Sequence, residues 1–187
     1  MVFMKKSTII TIAIIVIVLG YVGLTYNRLV SSSELVDTQW AQVESQYQRR
    51  FDLIPNLVSS VQGAMKQEQA VFLAIADART RYAGANTPSD KASAASEVES
   101  SFARLLVVME NYPQLKSSEA VQTLMAQIEG TENRVSVERM RYNDAVRTYN
   151  VATKRVPSSF IASLFGFDAK SYFQSAEDAA TAPKVEF

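Results

Sequence analysis

The chain of 187 residues contains no cysteine and no histidine, and these two absences exclude several classes of protein. Without cysteine the chain forms no disulfide, no thiolate metal site, no thiol nucleophile and no lipid anchor on an N-terminal cysteine. Without histidine it lacks the commonest metal ligand and the commonest general base at neutral pH. Zinc hydrolases, Ser-His-Asp enzymes and haem proteins with a histidine ligand are therefore excluded.

An excess of charge of one sign is also missing, because 19 basic and 19 acidic residues give a net charge of zero. Bulk charge therefore does not direct the chain to nucleic acid or to acidic lipid, and we expect no nucleic-acid partner. The six glycines are scattered and form no phosphate-binding loop. Strand-like runs of alternating polar and apolar residues are absent as well. These features favour an all-α, non-enzymatic protein with no cofactor and no metal.

Residues 7–27 form a long run without charge, STIITIAIIVIVLGYVGLTYN. As a helix this run spans about 30 Å, which matches the hydrocarbon core of a bilayer. Tyr21 and Tyr26 near its end suit the membrane–water interface. The run is longer than the apolar region of a typical signal peptide and no A-x-A-like site follows it, although Val18-x-Gly20 is a weak cleavage candidate. We therefore expect an uncleaved single-pass anchor whose partner is the lipid bilayer.

The charges beside the anchor predict its orientation. Lys5 and Lys6 precede it, whereas Arg28 alone follows closely, with Glu34 and Asp37 further along. Under the positive-inside rule the N-terminus is then cytoplasmic, and the bulk of the chain lies outside the cytoplasmic membrane.

An amphipathic helical stripe follows the anchor, with apolar residues at steps of three and four over residues 36–75. The stripe stays in phase through Pro55, although a proline removes a helical hydrogen bond and normally kinks or ends a helix. Two interpretations remain open. Residues 28–82 form one long helix kinked near Pro55, or Asp52 caps a new helix with Pro55 in its first turn. The apolar residues beside Asp52 favour the kink.

Turn and capping residues divide the rest of the chain into helices. Thr87, Pro88 and Asp90 are the residue types of an N-cap, a first helical position and a capping box. They predict a helix that ends at the Tyr-Pro pair before Pro113. A further long helix is predicted over about 118–155. Helices joined by short connections are typical of an antiparallel up-and-down bundle.

The predicted fold is therefore all-α, with an N-terminal transmembrane helix followed by a four-helix bundle whose first long helix is kinked or broken near Pro55. Heptad spacing of apolar residues indicates coiled-coil-like packing. The signals divide the chain into a short N-terminal flank (1–6), the anchor (7–27), the helical bundle (28–156), an aromatic C-terminal segment (157–173) and a polar tail (174–187).

Four charged residues occupy positions where the seam between helices requires apolar side chains: Arg50, Glu68, Glu132 and Arg139. Two charges of each sign predict a paired network that sets the register of the helices, because an unpaired buried charge is very costly. A ligand or metal site between facing helices is the functional alternative, but carboxylate metal sites in bundles usually include histidine. Tyr142 and Asn143 form a Tyr-Asn pair that recurs seven residues later. We expect a core tyrosine and an asparagine that bonds across helices.

The segment 157–167, PSSFIASLFGF, is short and aromatic and is a candidate interaction segment. Phe160, Leu164 and Phe167 fall on one side of it, with Phe165 close by. It is too short to span a bilayer. We expect it to pack on the bundle as a lid that buries three or four large side chains. Contact with the membrane interface and contact with another subunit are the alternatives.

Four ordered motifs resemble the LemA family of bacterial membrane proteins: RRFDLIPNLV (49–58), ENYPQLK (110–116), TENRVSVERMRYNDAVRTYN (131–150) and PSSFIASLFGF (157–167). The resemblance extends from about residue 26 to residue 187, and Phe51 departs from the tyrosine expected in the first motif. It implies a single-pass N-terminal anchor and a four-helix bundle. It implies no enzymatic activity, because none is established for the family.

We expect a membrane-tethered scaffold or adaptor of the bacterial envelope that presents its bundle to other membrane or envelope proteins, or to a second copy of the chain. The alternative is a sensor or small-ligand-binding ectodomain whose ligand binds among the polar seam residues. A hydrolase with paired Asp and Glu residues is a third class, and no spaced carboxylate motif supports it. A closed, dry bundle favours the scaffold, whereas a cleft with several polar side chains favours the sensor.

Overall fold

The computed structural model describes residues 6–173, and all regular structure within that range is helical. The expectation of an all-α protein is therefore confirmed. The N-terminal residues before Lys6, the side chain of Lys6 and the polar tail 174–187 lie outside the described residues. The helices are α1 (Lys6–Val61), α2 (Gln69–Gly84), α3 (Pro88–Met109), α4 (Pro113–Lys116), α5 (Glu119–Lys154) and α6 (Ser158–Phe165).

The first part of α1 is the apolar segment expected to cross the membrane. Among the described helices, α1 alone is long enough and apolar enough to do so. Its large apolar side chains from Ile9 to Leu19 are exposed. A helix whose apolar side chains find no protein partner on any side is suited to lipid, where its backbone groups are satisfied within the helix itself.

α1 continues without interruption through Pro55 and ends at Val61. Both expectations for this region are therefore wrong in part. The helix does not extend to residue 82, and no new helix begins at Asp52. The kink near Pro55 stays a prediction.

The break falls at 62–68, after the proline. Tight turn bonds replace the helical ladder here, including a bond at 3.1 Å from the amide N–H of Ala64 to the carbonyl oxygen of Val61. Gly63 lies within this turn, and glycine is among the weakest helix formers. Met65 is fully buried, so the turn is held by packing.

The start of α3 has the N-cap and the first-turn proline that its sequence predicts, and Asp90 bonds to the cap side chain. The backbone N–H of Asp90 donates to the hydroxyl oxygen of Thr87 at 3.1 Å, and that hydroxyl donates to the Asp90 carboxylate at 2.7 Å. Pro88 occupies the first turn, where its missing N–H costs nothing. α5 also agrees closely with the range expected from the sequence.

The described chain forms two compact units. The first, here called the anchor unit, comprises residues 6–38 and Asp144–Ser171. The second, here called the helical unit, comprises Gln39–Asn143 and residues 172–173. α1 and α5 therefore each contribute residues to both units. The four-helix arrangement and the five-part division of the chain stay predictions.

Each unit has its own apolar core. In the anchor unit, Ile161 and Ala162 of α6 pack against Leu29 of α1, and Val22 and Phe167 lie against this cluster. The helical unit buries a larger set of side chains from α1, α3 and α5. Fully buried members of that set are Val43, Tyr47, Ile54, Leu57, Val98, Leu105 and Val135.

We expect Thr87→Ala to destabilise the protein by about 1 kcal/mol, because it removes the cap of α3. The matched control is Thr80→Ala within α2, where the exposed hydroxyl bonds back to the carbonyl oxygen of Ala76 and alanine is the better helix former. Thermal unfolding of the full chain in detergent, followed by circular dichroism, should show a loss of about 2–4 °C for Thr87→Ala. Equal melting temperatures for the two variants would contradict the capping role.

Candidate functional site

A network of charged side chains joins three helices within the helical unit. Arg50 of α1 lies 3.2 Å from Glu99 of α3 and 3.5 Å from Glu132 of α5, measured from guanidinium nitrogen to carboxylate oxygen. Arg139 of α5 lies 2.8 Å from the same oxygen of Glu99. The carboxylate of Glu99 is therefore shared by two arginines from two different helices.

The members of this network differ in exposure, and exposure decides which pair matters energetically. The side chain of Arg50 is 7% exposed and that of Glu99 is 27% exposed, whereas that of Glu132 is 65% exposed. An exposed ion pair contributes about 0–1 kcal/mol, but removing one partner of a buried pair costs about 3–5 kcal/mol. Glu99 is therefore the principal counterion of Arg50, and Glu132 is a secondary one.

Aromatic rings enclose the guanidinium of Arg139. Its central carbon lies 4.5 Å from the ring centre of Phe173 and 5.2 Å from that of Tyr47, and the hydroxyl oxygen of Tyr47 accepts a hydrogen bond from it. Cation–π contacts of this kind favour the charged form in a partly desolvated place. Two buried polar atoms of the helical unit, Nε of Arg139 and Oε1 of Gln46, have no hydrogen-bond partner among the described residues.

Burial also changes the acidity of the nearby tyrosines. Burial, followed by the negative charge of Glu99, raises the pKa of Tyr47 above its ordinary value near 10. Burial, followed by the charge of Glu44, raises the pKa of Tyr82 to about 12. Phe51 meets the ring of Tyr82 edge-on at 4.8 Å and helps to exclude water from it. Both hydroxyls are therefore protonated at neutral pH.

The arrangement supplies paired charges and aromatic surface, with no nucleophile beside a base. The described part of the chain also contains no group of three or more acidic side chains placed to hold a metal ion. What the geometry can do is hold α1, α3 and α5 in one register and orient the guanidinium of Arg139.

Sequence reasoning found only part of this network. The structure brings together Arg50, Glu132 and Arg139, but it places Glu68 elsewhere, at the start of α2, where its carboxylate accepts a bond from the Tyr112 hydroxyl at 3.4 Å. The apolar stripe of α3 alone does not predict that Glu99 belongs to the network. A signal was present, because Glu99 lies one helical turn from both Ala95 and Phe102 and therefore borders that stripe.

The Tyr-Asn pair at 142–143 also acts differently from the expectation. Tyr142 is buried and meets the ring of Trp40 edge-on at 5.3 Å, as expected of a core tyrosine. Asn143 bonds to a segment without regular structure, and among the described residues no bond from it to another helix is found. Its amide pairs with the backbone of Phe173 in the segment after α6, accepting from the N–H at 2.8 Å and donating to the carbonyl oxygen at 3.2 Å.

The second asparagine of the repeat forms the same kind of clamp in the anchor unit. Asn150 accepts from the N–H of Lys170 at 2.9 Å and donates to its carbonyl oxygen at 2.8 Å. The ammonium of Lys170 also lies 2.7 Å from the carboxylate of Asp37.

α6 does not bury the side chains that the lid interpretation requires. Ile161 and Ala162 face the core of the anchor unit, whereas Phe160 is 71% exposed and Leu164 is 77% exposed. Phe165 is also exposed and Phe167 is half-buried. The expectation that Phe160 and Leu164 pack on the chain's own helices is therefore wrong, because the buried side of this helix is the one with the smaller residues.

We expect Glu99→Ala to destabilise the protein by about 3–5 kcal/mol, because it leaves two guanidiniums without their shared counterion. Glu132→Ala is the matched control, since it removes an exposed carboxylate from the same Arg50 and should cost less than about 1 kcal/mol. Thermal unfolding of the full chain in detergent should separate the variants by roughly 10 °C. Similar melting temperatures for both variants would show that Glu99 is not the principal counterion.

Alkaline pH should destabilise the protein through Tyr82. Its pKa is raised to about 12 in the folded state against about 10 in an unfolded chain. The stabilisation is therefore complete below about pH 10 and is lost as the pH rises towards 12, because the unfolded chain releases its proton first. Melting temperatures of Tyr82→Phe should fall less steeply over this range than those of the wild type. Tyr172→Phe, which removes an exposed tyrosine, is the control, and parallel curves for wild type and Tyr82→Phe would refute the prediction.

Comparison with known proteins assigns the chain to a family. The model of the LemA family matches residues 39–187. Magnetosome proteins MamQ 1 and MamQ 2 of Paramagnetospirillum magneticum are each 24% identical, over 89% of this chain and 71% of theirs. Magnetosome protein MamQ of Magnetospirillum gryphiswaldense is 24% identical, over 79% of this chain and 64% of its own. With its long apolar N-terminal helix, the chain therefore belongs to the LemA family and is a membrane-associated, LemA-like protein.

Proposed function

We propose that this protein is a membrane-anchored, non-enzymatic helical scaffold of the bacterial envelope. Residues 7–27 cross the cytoplasmic membrane with the N-terminus in the cytoplasm, and the helical unit lies on the outer side. The scaffold holds other membrane or envelope proteins, or a second copy of itself, through the surface of its helices.

The observation that carries this proposal is the shared carboxylate of Glu99. The two arginines of the seam are neutralised by a carboxylate of the chain itself, and Arg139 is further held between two aromatic rings. Charges engaged in this way are suited to setting the register of the helices. A protein whose buried charges fix its shape is well suited to present a constant surface.

The relatives support the same proposal in general terms. The MamQ proteins are named as magnetosome proteins. A structural role in a membrane-associated assembly fits both that name and the apolar segment of α1 in this chain.

Exposed apolar side chains on the helical unit are the places where we expect partners to bind. Val107 on α3 is 66% exposed and Met140 on α5 is 61% exposed. Single exposed apolar residues are common on any protein, so their role needs a direct test. Exchange of each for the photo-crosslinking residue p-benzoylphenylalanine provides that test in living cells.

Irradiation should give one discrete crosslinked adduct when p-benzoylphenylalanine replaces Val107 or Met140. It should give none when p-benzoylphenylalanine replaces Asp77, an exposed residue of α2. Protease added outside spheroplasts should digest the adduct if the helical unit lies on the outer side. The scaffold is refuted if neither apolar position gives more adduct than Asp77, and the orientation is refuted if the adduct is protected.

A second candidate is a sensor that binds a small polar molecule within the helical unit. The observation in its favour is the pair of buried atoms without hydrogen-bond partners, Nε of Arg139 and Oε1 of Gln46, because buried polar atoms are nearly always bonded. A small-molecule extract that raises the melting temperature of the wild type, and not that of Gln46→Leu, would favour the sensor over the scaffold.

A further inference from the structure

The helix α6 contacts the anchor itself within the anchor unit. The ring of Tyr26 meets the rings of Phe165 at 5.0 Å and Phe167 at 5.6 Å, and Val22 packs on the cluster that contains Ile161. Both Tyr26 and Val22 belong to the apolar run 7–27. At 1.5 Å per residue, Val22 lies about 7 Å before the end of that run.

This contact fixes the depth of α6. If residues 7–27 fill the hydrocarbon core, a helix that packs on Val22 and Tyr26 must lie at the boundary between the acyl chains and the headgroups. It cannot stand in bulk water while its buried side touches residues inside the membrane.

The outward face of α6 is suited to that depth. Phe160 and Leu164 lie one helical turn apart, and both are more than two-thirds exposed. Phe165, beside them, is 48% exposed. An outward face with large apolar side chains is suited to the boundary between headgroups and acyl chains, where such side chains are buried in lipid.

Beside this helix the anchor unit contains a groove of about 590 Å³ that is lined by both apolar and cationic side chains. Tyr21 and Leu24 of the anchor are among its apolar side chains, and the cationic side chains are those of Arg28, Arg147 and Arg155. All three arginines are exposed.

These arginines are available for a ligand. Within the described residues, no carboxylate pairs with Arg28 or Arg155. Arg147 lies 3.7 Å from Asp144, and both of those side chains are about two-thirds exposed, so the pair is weak. Guanidinium groups bind phosphate oxygens in a bidentate manner, and the apolar side chains of the groove suit an acyl chain.

We infer that α6 lies in the interfacial region of the leaflet where the anchor ends, and that Arg28, Arg147 and Arg155 bind the phosphate of an anionic phospholipid of that leaflet. The inference rests on the proposed membrane span of residues 7–27. It is independent of the scaffold role and of the orientation of the chain.

The depth of α6 can be measured with nitroxide labels, since the chain has no cysteine and each introduced one is unique. The full chain carrying Leu164→Cys, Leu19→Cys or Ser136→Cys is labelled and placed in vesicles of phosphatidylcholine and phosphatidylglycerol. Oxygen concentrates in lipid, and a nickel chelate remains in water. The label at 164 should collide more with oxygen than with nickel, as the anchor label at 19 does, whereas the label at 136 should show the reverse.

The outcomes separate this inference from the span on which it rests. A label at 19 in lipid with a label at 164 in water would refute the interfacial position of α6 and leave the span intact. A label at 19 in water would refute the span and the inference together.

Lipid selectivity tests the arginines. The full chain in mixed vesicles should retain spin-labelled phosphatidylglycerol in preference to spin-labelled phosphatidylcholine, and salt should weaken this preference. The double variant Arg28→Gln with Arg155→Gln should lower the preference by roughly fivefold or more, since each arginine near an anionic surface changes affinity several-fold. The control is Arg104→Gln with Arg134→Gln, which makes the same change of charge at exposed positions elsewhere.

Two results would overturn the lipid site. The first is an equal loss of preference in both double variants, which would indicate bulk charge alone. The second is displacement of phosphatidylglycerol by inorganic phosphate at millimolar concentration, which would indicate a site for free phosphate.

Discussion

The carboxylate of Glu99 is the group on which the helical unit depends. It is the principal counterion of Arg50 in α1 and of Arg139 in α5, and both guanidiniums lie largely away from water. Water cannot replace a missing counterion at these largely buried positions. Only an arrangement of helices that keeps the carboxylate between the two arginines is therefore stable. A purely apolar seam would be less selective, because apolar side chains pack acceptably in several registers.

The same network explains why the chain returns to the helical unit after α6. Phe173 lies against the guanidinium of Arg139, and the backbone of Phe173 is held by the amide of Asn143. The ring shields the cation and the amide satisfies the backbone of a segment that has no regular structure of its own. Charge, ring and amide therefore form one connected arrangement.

Local signals in the sequence were enough to predict most of the helices, and they failed where tertiary context decides. Thr87 and Asp90 predict the start of α3, because capping is an interaction between residues close in sequence. The end of α1 was missed because the turn at Gly63 leaves the apolar stripe in phase, and periodicity is insensitive to such a turn. Glu99 was missed because a residue beside an apolar stripe looks like a solvated one unless its partners on other helices are known. The spacing of α6 does not predict that Phe160 and Leu164 are exposed, because amphipathic spacing does not say which face packs on the chain.

The contact between α6 and the anchor has a consequence for how the chain accommodates membranes of different thickness. The anchor residues that pack on α6 include Val22 and Tyr26, whereas the apolar residues from Ile9 to Leu19 are exposed. With α6 at the inferred interfacial position, the end of the anchor beside it is held at one level, and hydrophobic mismatch is absorbed at the opposite end by tilt or by a change in the number of apolar residues. Insertions and deletions in this helix should therefore be tolerated before Leu19 and selected against around Val22 and Tyr26.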